Sequence, residues 1–321
     1  MTGVVVLGQV GRDLVLQVTE LPGAGGSADV GERLEVAGGK GANQAVALAQ
    51  LGLPVALVGV VGEDGEPLLD RARADGVDVT AVVRRPGVPS ALLVDVVEAD
   101  GTRRLLEDVP DGVLLTAADV AAAGDLLAGC AALVLQLQQP GEAVRAALDR
   151  VGPDALVVAD GAPADDGTRD AVLARAAVLR ADASEAALLV GRGLDGVGDV
   201  RAAARELLAA GPRLVALSAG ADGDLVAWRG GPSPAAGGQP WPDDGDLLLP
   251  LHDHHPADPT GGGDSTVAAL TAAVLGGATP EDAARAASAA ATLTVGRLGG
   301  RPALTAADLA AQVARERAAQ A

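Results

Sequence analysis

Asp258-Pro259-Thr260-Gly261-Gly262-Gly263-Asp264-Ser265 is the stretch on which the reading of this chain turns. Three consecutive glycines stand directly before a segment, Asp264 to Leu275, that reads as a helix. Without Cβ atoms, successive backbone N–H groups can converge on an anion, and a helix N-terminus adds its partial positive charge. Such a site suits a phosphoryl group in transit, which needs donors aimed at developing negative charge. Asp264 at the helix start admits two readings: an N-cap after a flexible turn, or a general base beside the anion site.

Outward from this stretch, two more helices follow, Pro280 to Val295 and Ala306 to Ala319. Upstream, short apolar runs alternate with helical ones. The runs Val4 to Leu7, Val55 to Val61, Ala131 to Leu137, Ala155 to Ala159, Ala177 to Arg180 and Leu214 to Ser218 read as buried strands. Between them, Ala42 to Leu51, Glu66 to Ala74, Glu142 to Arg150, Thr168 to Arg175, Glu185 to Leu189 and Asp199 to Ala210 read as helices. This alternation predicts an α/β fold, a mostly parallel sheet with helices on both faces. Leu14 to Val18 and Arg33 to Val36 read as more exposed strands. Ser90 to Val97 and Thr102 to Glu107 flank Asp100-Gly101, a strong hairpin signal, so these segments predict a small separate sheet. Gly230 to Asp246, rich in Gly, Pro and Asp, reads as a mobile surface excursion. Trp228 and Trp241 flank or lie in it and are expected at the surface or in subunit packing.

The 321 residues suffice for one large α/β domain or two ordinary ones. Ala, Val and Leu dominate the apolar set, with no Phe or Tyr, so small aliphatic side chains must fill the core. The formal net charge is −19 and no basic patch appears, which argues against a nucleic-acid partner. An anionic ligand must then be held by local groups, and Lys40 is the single lysine. Cys130, also single, cannot form an internal disulfide and fits a reducing cytoplasm. No basic leader and no bilayer-spanning apolar run is visible, so no membrane partner is expected.

A second motif sits near the start: Gly38-Gly39-Lys40-Gly41-Ala42-Asn43-Gln44. Two glycines, a cation and an amide again precede a helix, and Lys40 and Asn43 could hold hydroxyls of a polar substrate. The Walker spacing and the dinucleotide fingerprint are both absent. Taken together, the two motifs resemble the ribokinase branch of the PfkB family of carbohydrate kinases. Gly38 to Gln44 is similar to its sugar-binding signature, and Asp258 to Asp264 to its catalytic signature, usually Asp-Thr-x-Gly-Ala-Gly-Asp. The likeness covers nearly the whole chain. It implies one ribokinase-like three-layer α/β/α domain over residues 1–321, with a β-lid contributed by about 12–36 and 88–108.

The resemblance also implies roles. Asp264 would be the general base, and the amides of Gly261, Gly262 and Gly263 the anion hole. Gly11, Asp13, Gly39, Lys40, Asn43 and Gln138 would stand at the sugar. Asp182 and Glu185 match an Asn-x-x-Glu element that organises phosphate and, indirectly through Glu185, magnesium. Ser218, Gly220, Asp222 and Gly223 match a Thr-x-Gly-x-x-Gly nucleotide loop, and Ser288 lies where the family lines its adenine pocket. Asp258 and Thr260, with backbone near Arg297 and Gly299, match a monovalent-cation loop for potassium. ATP and Mg2+ are the implied cofactors, a sugar the substrate, and a homodimer through the β-lid the implied assembly. The expected activity is γ-phosphate transfer from ATP to a primary hydroxyl of a pentose-like sugar, ribose first.

The chain departs from the pattern at several places. Ribokinases usually carry Asn where Gly11 stands and Glu where Gln138 stands, both in the sugar pocket. Asp182 replaces an Asn, Asp222 stands where a basic residue is frequent, and Ala303 removes a hydroxyl from the cation loop. Three other readings stay open: a nucleoside kinase, weakened by the lack of Phe and Tyr for base stacking; a phosphosugar kinase, which would need more cations than Lys40; and a degenerate, sugar-binding member. His252, His254 and His255 cluster in sequence, but no metal is expected there, since alternate residues of a strand point to opposite faces.

Overall fold

The computed structural model describes residues 3–251 and 257–320. The histidine cluster lies outside the described residues. Val4–Leu7, with every residue buried, lies inside a large sheet. Across that sheet the strands run Gly245–Leu249, Asp224–Trp228, Leu214–Ser218, Val178–Ala181, Leu156–Asp160, Ala132–Gln136, Val4–Leu7, Val55–Val61 and Val77–Asp78. Every pairing from Leu214–Ser218 onward is parallel. The first two strands pair antiparallel and close the edge as a hairpin.

The buried strands are apolar on both faces because helices cover both. Val4, Val6, Val134 and Val158 face a layer that includes Ala45, Val267 and Ala284, from the helices Lys40–Gln50, Gly262–Leu275 and Pro280–Val295. Val5, Leu7, Leu133 and Leu135 face Val144, Val172 and Leu207, from Gly141–Arg150, Asp166–Arg175 and Val197–Ala210. One-residue alternation therefore assigns each strand residue to one of two cores. Alanine dominates the helix–helix contact: Ala283, Ala284, Ala287 and Ala290 are buried on one helix, opposite Ala268 and Ala269 on another. Small side chains let the backbones approach, which compensates for the missing aromatics.

A second sheet of four strands stands apart, in the order Val30–Gly38, Gly11–Val18, Ala91–Glu98 and Arg103–Asp108. Its inner pair, Gly11–Val18 with Ala91–Glu98, is parallel. The expected hairpin around Asp100-Gly101 is present, Gly101 taking the positive φ (85°) that an Asp-Gly turn needs.

The 230–246 segment differs from the expectation of a loose surface excursion. It joins the two antiparallel edge strands, and a bridge pairs Gly231 with Trp241. Ala235 and Trp241 are each about 5% exposed, and Trp228, at 9%, lies in the same core cluster. The Trp228 indole N–H donates to the Asp243 carbonyl (3.2 Å). The sequence is loop-like in composition, but its one aromatic is an anchor that folds it back onto the sheet edge. Trp241→Ala should therefore destabilise the protein by about 3–5 kcal/mol in denaturant melts. A loss within about 0.5 kcal/mol, as at an ordinary surface position, would remove this segment from the core.

Candidate active site

The parallel strands end at one edge of the large sheet, and the chemistry collects there, as it does in open α/β sheets generally. Asp160 closes one strand, Arg180 lies near the end of the next, and Asp182 and Ser218 follow or close theirs. Onto this edge points the N-terminus of the Gly262–Leu275 helix.

Gly261 is the helix N-cap, with φ 75°. A Cβ there would lie 1.8 Å from the Gly300 carbonyl oxygen, so only glycine allows this close approach. Asp264 is thus the third residue of the helix, and no side chain caps the helix. The capping alternative for Asp264 is removed. Its carboxylate turns inward and accepts from Asn43 Nδ2 (3.2 Å) and Gln44 Nε2 (3.3 Å). The first amides of the helix lack intrahelical acceptors and remain available to an anion. A Cβ on Gly263 would fall 2.6 Å from the Arg180 guanidinium, so this glycine lets a fixed cation sit against the helix N-terminus.

Arg180 is fixed by Asp160 (3.1 Å), which is wholly buried and also accepts from Gln44 Nε2 (2.8 Å). Burial works against the Arg180 charge, but Asp160 and Glu185 outweigh it and hold the guanidinium ionised. Glu185 accepts from Lys40 Nζ (3.2 Å) and Gln138 Nε2 (2.6 Å) on one oxygen, and from the Asp182 N–H (2.9 Å) on the other. The last contact is half of a capping box in which Asp182 caps the Ala183–Val190 helix.

Burial, with Asp160 adding to it, pushes the Asp264 carboxyl up to about 7, against Lys40, Asn43 and Arg180. Asp13 is likewise pushed up to about 7, by burial first and then by Asp95 and Asp264, against a Gly39 N–H. Burial also works against the Lys40 charge, yet Asp160, Glu185 and Asp264 hold it above the ordinary lysine range. A carboxyl near 7 is suited to taking a proton at neutral pH.

Two cavities meet here. One, of about 450 Å³, is lined by Ser218, Gly220, Asp224, Thr266 and Ser288 among others. The other, of about 660 Å³, is lined by Lys40, Asn43, Gln138, Asp182 and Asp264, and by residues of the small sheet. Arg180, Pro259 and Gly263 line both, so the helix N-terminus is the boundary between them.

The expected site residues divide accordingly. Gly220, Ser218 and Ser288 line the first cavity. Asp222 is exposed and, like Gly223, stands outside its lining; Asp224, whose carboxyl burial pushes up, takes the wall instead. Asp182 faces the second cavity rather than the first. Gly11, Asp13 and Gly39 stand just outside the lining of the second; Asp13 is 4% exposed and its Oδ1 has no hydrogen-bond partner. Asp258 is fully buried, accepting from Thr260 N–H (2.9 Å) on one oxygen and from Gly299 N–H (2.9 Å) on the other, which ties the two expected cation loops together. Arg297 donates to the Ala303 carbonyl (3.4 Å). Asp160, Arg180, Gln44, Asp95 and Arg103 were not anticipated. Asp160 and Arg180 do leave a sequence signal: a charge at or next to the end of an otherwise apolar, buried strand.

The profile of the pfkB family carbohydrate kinases matches residues 1–307. The chain belongs to this family. It is an ATP-dependent carbohydrate kinase, a phosphotransferase with an alcohol group as acceptor. It is 29% identical to a ribokinase of Bacillus subtilis over 314 residues, 94% of this chain and 97% of that one. It is 31% identical to an ATP-dependent ribose-1-phosphate kinase of Halopiger xanaduensis over 316 residues, 97% and 98% of the two chains. Its fold is similar to that of the Arabidopsis thaliana ribokinase complexed with ribose and ATP, with a TM-score of 0.72 at 22% identity, covering 97% and 98% of the two chains. The kinase fold is thus ribokinase-like, and the small sheet is its second layer of strands.

The raised carboxyls set a pH trend for stability and, with Asp264 as the expected base, an opposite one for activity. In the unfolded chain both titrate near 3.8; folded, Asp264 and Asp13 titrate near 7. Their protonated forms are favoured by folding, so the stability they contribute is present at low pH and lost as pH rises through 7. Between pH 8 and 5 the melting temperature should rise while kcat/KM for the kinase reaction falls with an acid limb near 7. An acid limb near 4 would contradict the burial argument.

Proposed function

We propose that the chain transfers the γ-phosphate of ATP to a primary hydroxyl of a neutral pentose-like sugar, with ribose the first candidate. The observation that carries this is the position of Asp264. A buried carboxylate of raised proton affinity lines one cavity at the boundary where a helix N-terminus and Arg180 face the other. Nucleotide would occupy the cavity of Ser218, Gly220 and Ser288, and sugar the cavity of Lys40, Asn43 and Asp264. Asp264 takes the proton of the attacking hydroxyl. That oxygen bonds to the γ-phosphorus as the bond to the β–γ bridging oxygen breaks, and ADP leaves. The amides of Gly261, Gly262 and Gly263 and the Arg180 guanidinium bind the transferred group.

Magnesium fits the donor set. Burial raises the Asp182 carboxyl, but the Glu185 N–H and Ser184 hydroxyl outweigh it and keep it ionised. Asp182, and Glu185 indirectly, would hold the ion, which supplies charge neutralisation at the phosphates. Potassium fits as well, since Asp258 is a fully buried carboxylate with no ion pair among the described residues. Carbonyls near Arg297 and Gly299 would complete that site.

The chain acts as one unit of residues 1–321, with the small sheet as a lid. Leu21, Val30, Leu105 and Leu106 are exposed on or beside that sheet, which supports a homodimer through it. No helix among the described residues is long and apolar enough to cross a membrane; buried Cys130 suits a reducing cytoplasm.

A screen of ADP release over pentoses, hexoses, polyols and nucleosides, with and without potassium, identifies the acceptor. With that acceptor, Asp264→Asn should lower kcat by about 10²- to 10⁴-fold, the range of a lost general base. Sugar affinity by calorimetry should stay close to wild type. Near-wild-type turnover would exclude Asp264 as the base.

A further inference from the structure

The small sheet places a charge pair on the wall of the sugar cavity that neither motif accounts for. Asp95 lies within the Ala91–Glu98 strand and Arg103 opens the neighbouring strand; they sit diagonally, since Asp95 pairs with Leu105 and Val97 with Arg103. The two side chains form an ion pair. Asp95 is 1% exposed and the Arg103 side chain 27%, and both line the cavity that holds Asp264. A charged pair in an apolar strand is costly to bury.

Nearby space is otherwise closed. A Cβ at Gly11 would lie 3.0 Å from both Leu93 Cδ1 and the Ala91 carbonyl, so no longer polar side chain fits there without a shift of the strand. Recognition on the lid side falls to Asp95, Arg103 and Glu107. The cations that line the cavity are Lys40, Arg103 and Arg180, and each has a carboxylate partner: Glu185, Asp95 and Asp160. Acceptors are in surplus. Asn43 lines the cavity with its Oδ1 buried and without a hydrogen-bond partner, an acceptor that a substrate hydroxyl would satisfy; Asp13 Oδ1, outside the lining, is unpartnered as well.

We propose that the Asp95–Arg103 pair determines substrate class: with its guanidinium neutralised, the lid admits uncharged, hydroxyl-rich sugars and rejects sugars bearing a phosphate or carboxylate. The proposal rests on the second cavity being the sugar site. On the lid side an anionic substituent would meet Asp95 and Glu107, with Arg103 already paired to Asp95, and like charges in a partly dry site repel strongly.

The test measures calorimetric affinity, without nucleotide, for D-ribose and D-fructose and for their 1-phosphates, alongside kcat/KM by ADP release. Wild type should bind the better free sugar at least about 100-fold more tightly than its phosphate. Asp95→Asn frees the guanidinium and should shrink that ratio at least about tenfold. Arg103→Gln leaves Asp95 bare and should widen it, a change of opposite sign that a general folding defect cannot imitate. Equal or tighter binding of a 1-phosphate by wild type, no binding of any of the four compounds, or two folded variants with unchanged ratios would overturn the proposal. Preserved binding preference with no ADP release from any sugar would instead sink the kinase reading of the reaction while leaving the selectivity standing.

Discussion

The fold is organised around the burial of one carboxylate. Asp264 is 6% exposed, close to a second buried carboxylate, Asp160, and bridged to it by the Gln44 amide. Two such groups cannot both remain ionised in a dry interior unless cations and donors compensate. The compensation comes from far along the chain: Asn43 and Gln44 from the first helix, Lys40 beside them, and Arg180 from a central strand. The helix that carries Asp264 packs against the Lys40–Gln50 helix, which fixes the distance between the two motifs. What results is a carboxyl pushed up to about 7, held against a helix N-terminus.

Charge is distributed unevenly around that boundary. Arg180, held by Asp160, and the helix N-terminus stand between the two cavities in a chain of net charge −19. In the second cavity every lining cation has a carboxylate partner and an acceptor is left over. Under the function proposed above, a hydroxyl-bearing ligand suits that cavity. Global acidity is compatible with ATP binding because the relevant field is set within a few ångströms, where desolvation strengthens it and salt screens it little.

Much of this was legible in the sequence. Apolar runs of four to seven residues between helical segments fixed the parallel sheet, and the two glycine-rich motifs located Lys40, Asn43 and Asp264. Other parts were not legible. Trp241 lies in a stretch of loop-like composition, and only its bridge to Gly231 and its burial in the core cluster that includes Trp228 make it core. Asp222 and Asp224 are two residues apart, and which one faces the cavity depends on the turn between Ser218 and Asp224. Asp95 is one polar residue in an apolar strand, and its pairing with Arg103 depends on the register of the neighbouring strand.

The three glycines before Asp264 illustrate the division. By itself the sequence determined that the backbone there could approach an anion closely and that a helix would follow, because both depend on local sterics and on the peptide dipole. It also determined which residue types were available for chemistry. Whether Asp264 caps its own helix or turns inward was decided only by tertiary structure. Gly261 is the N-cap, packed so close to the Gly300 carbonyl that no Cβ fits, and the Asp264 carboxylate accepts from Asn43 and Gln44 in the core. Proton affinity follows the same rule: desolvation and neighbouring charge belong to the folded environment, and no spacing along the chain encodes them.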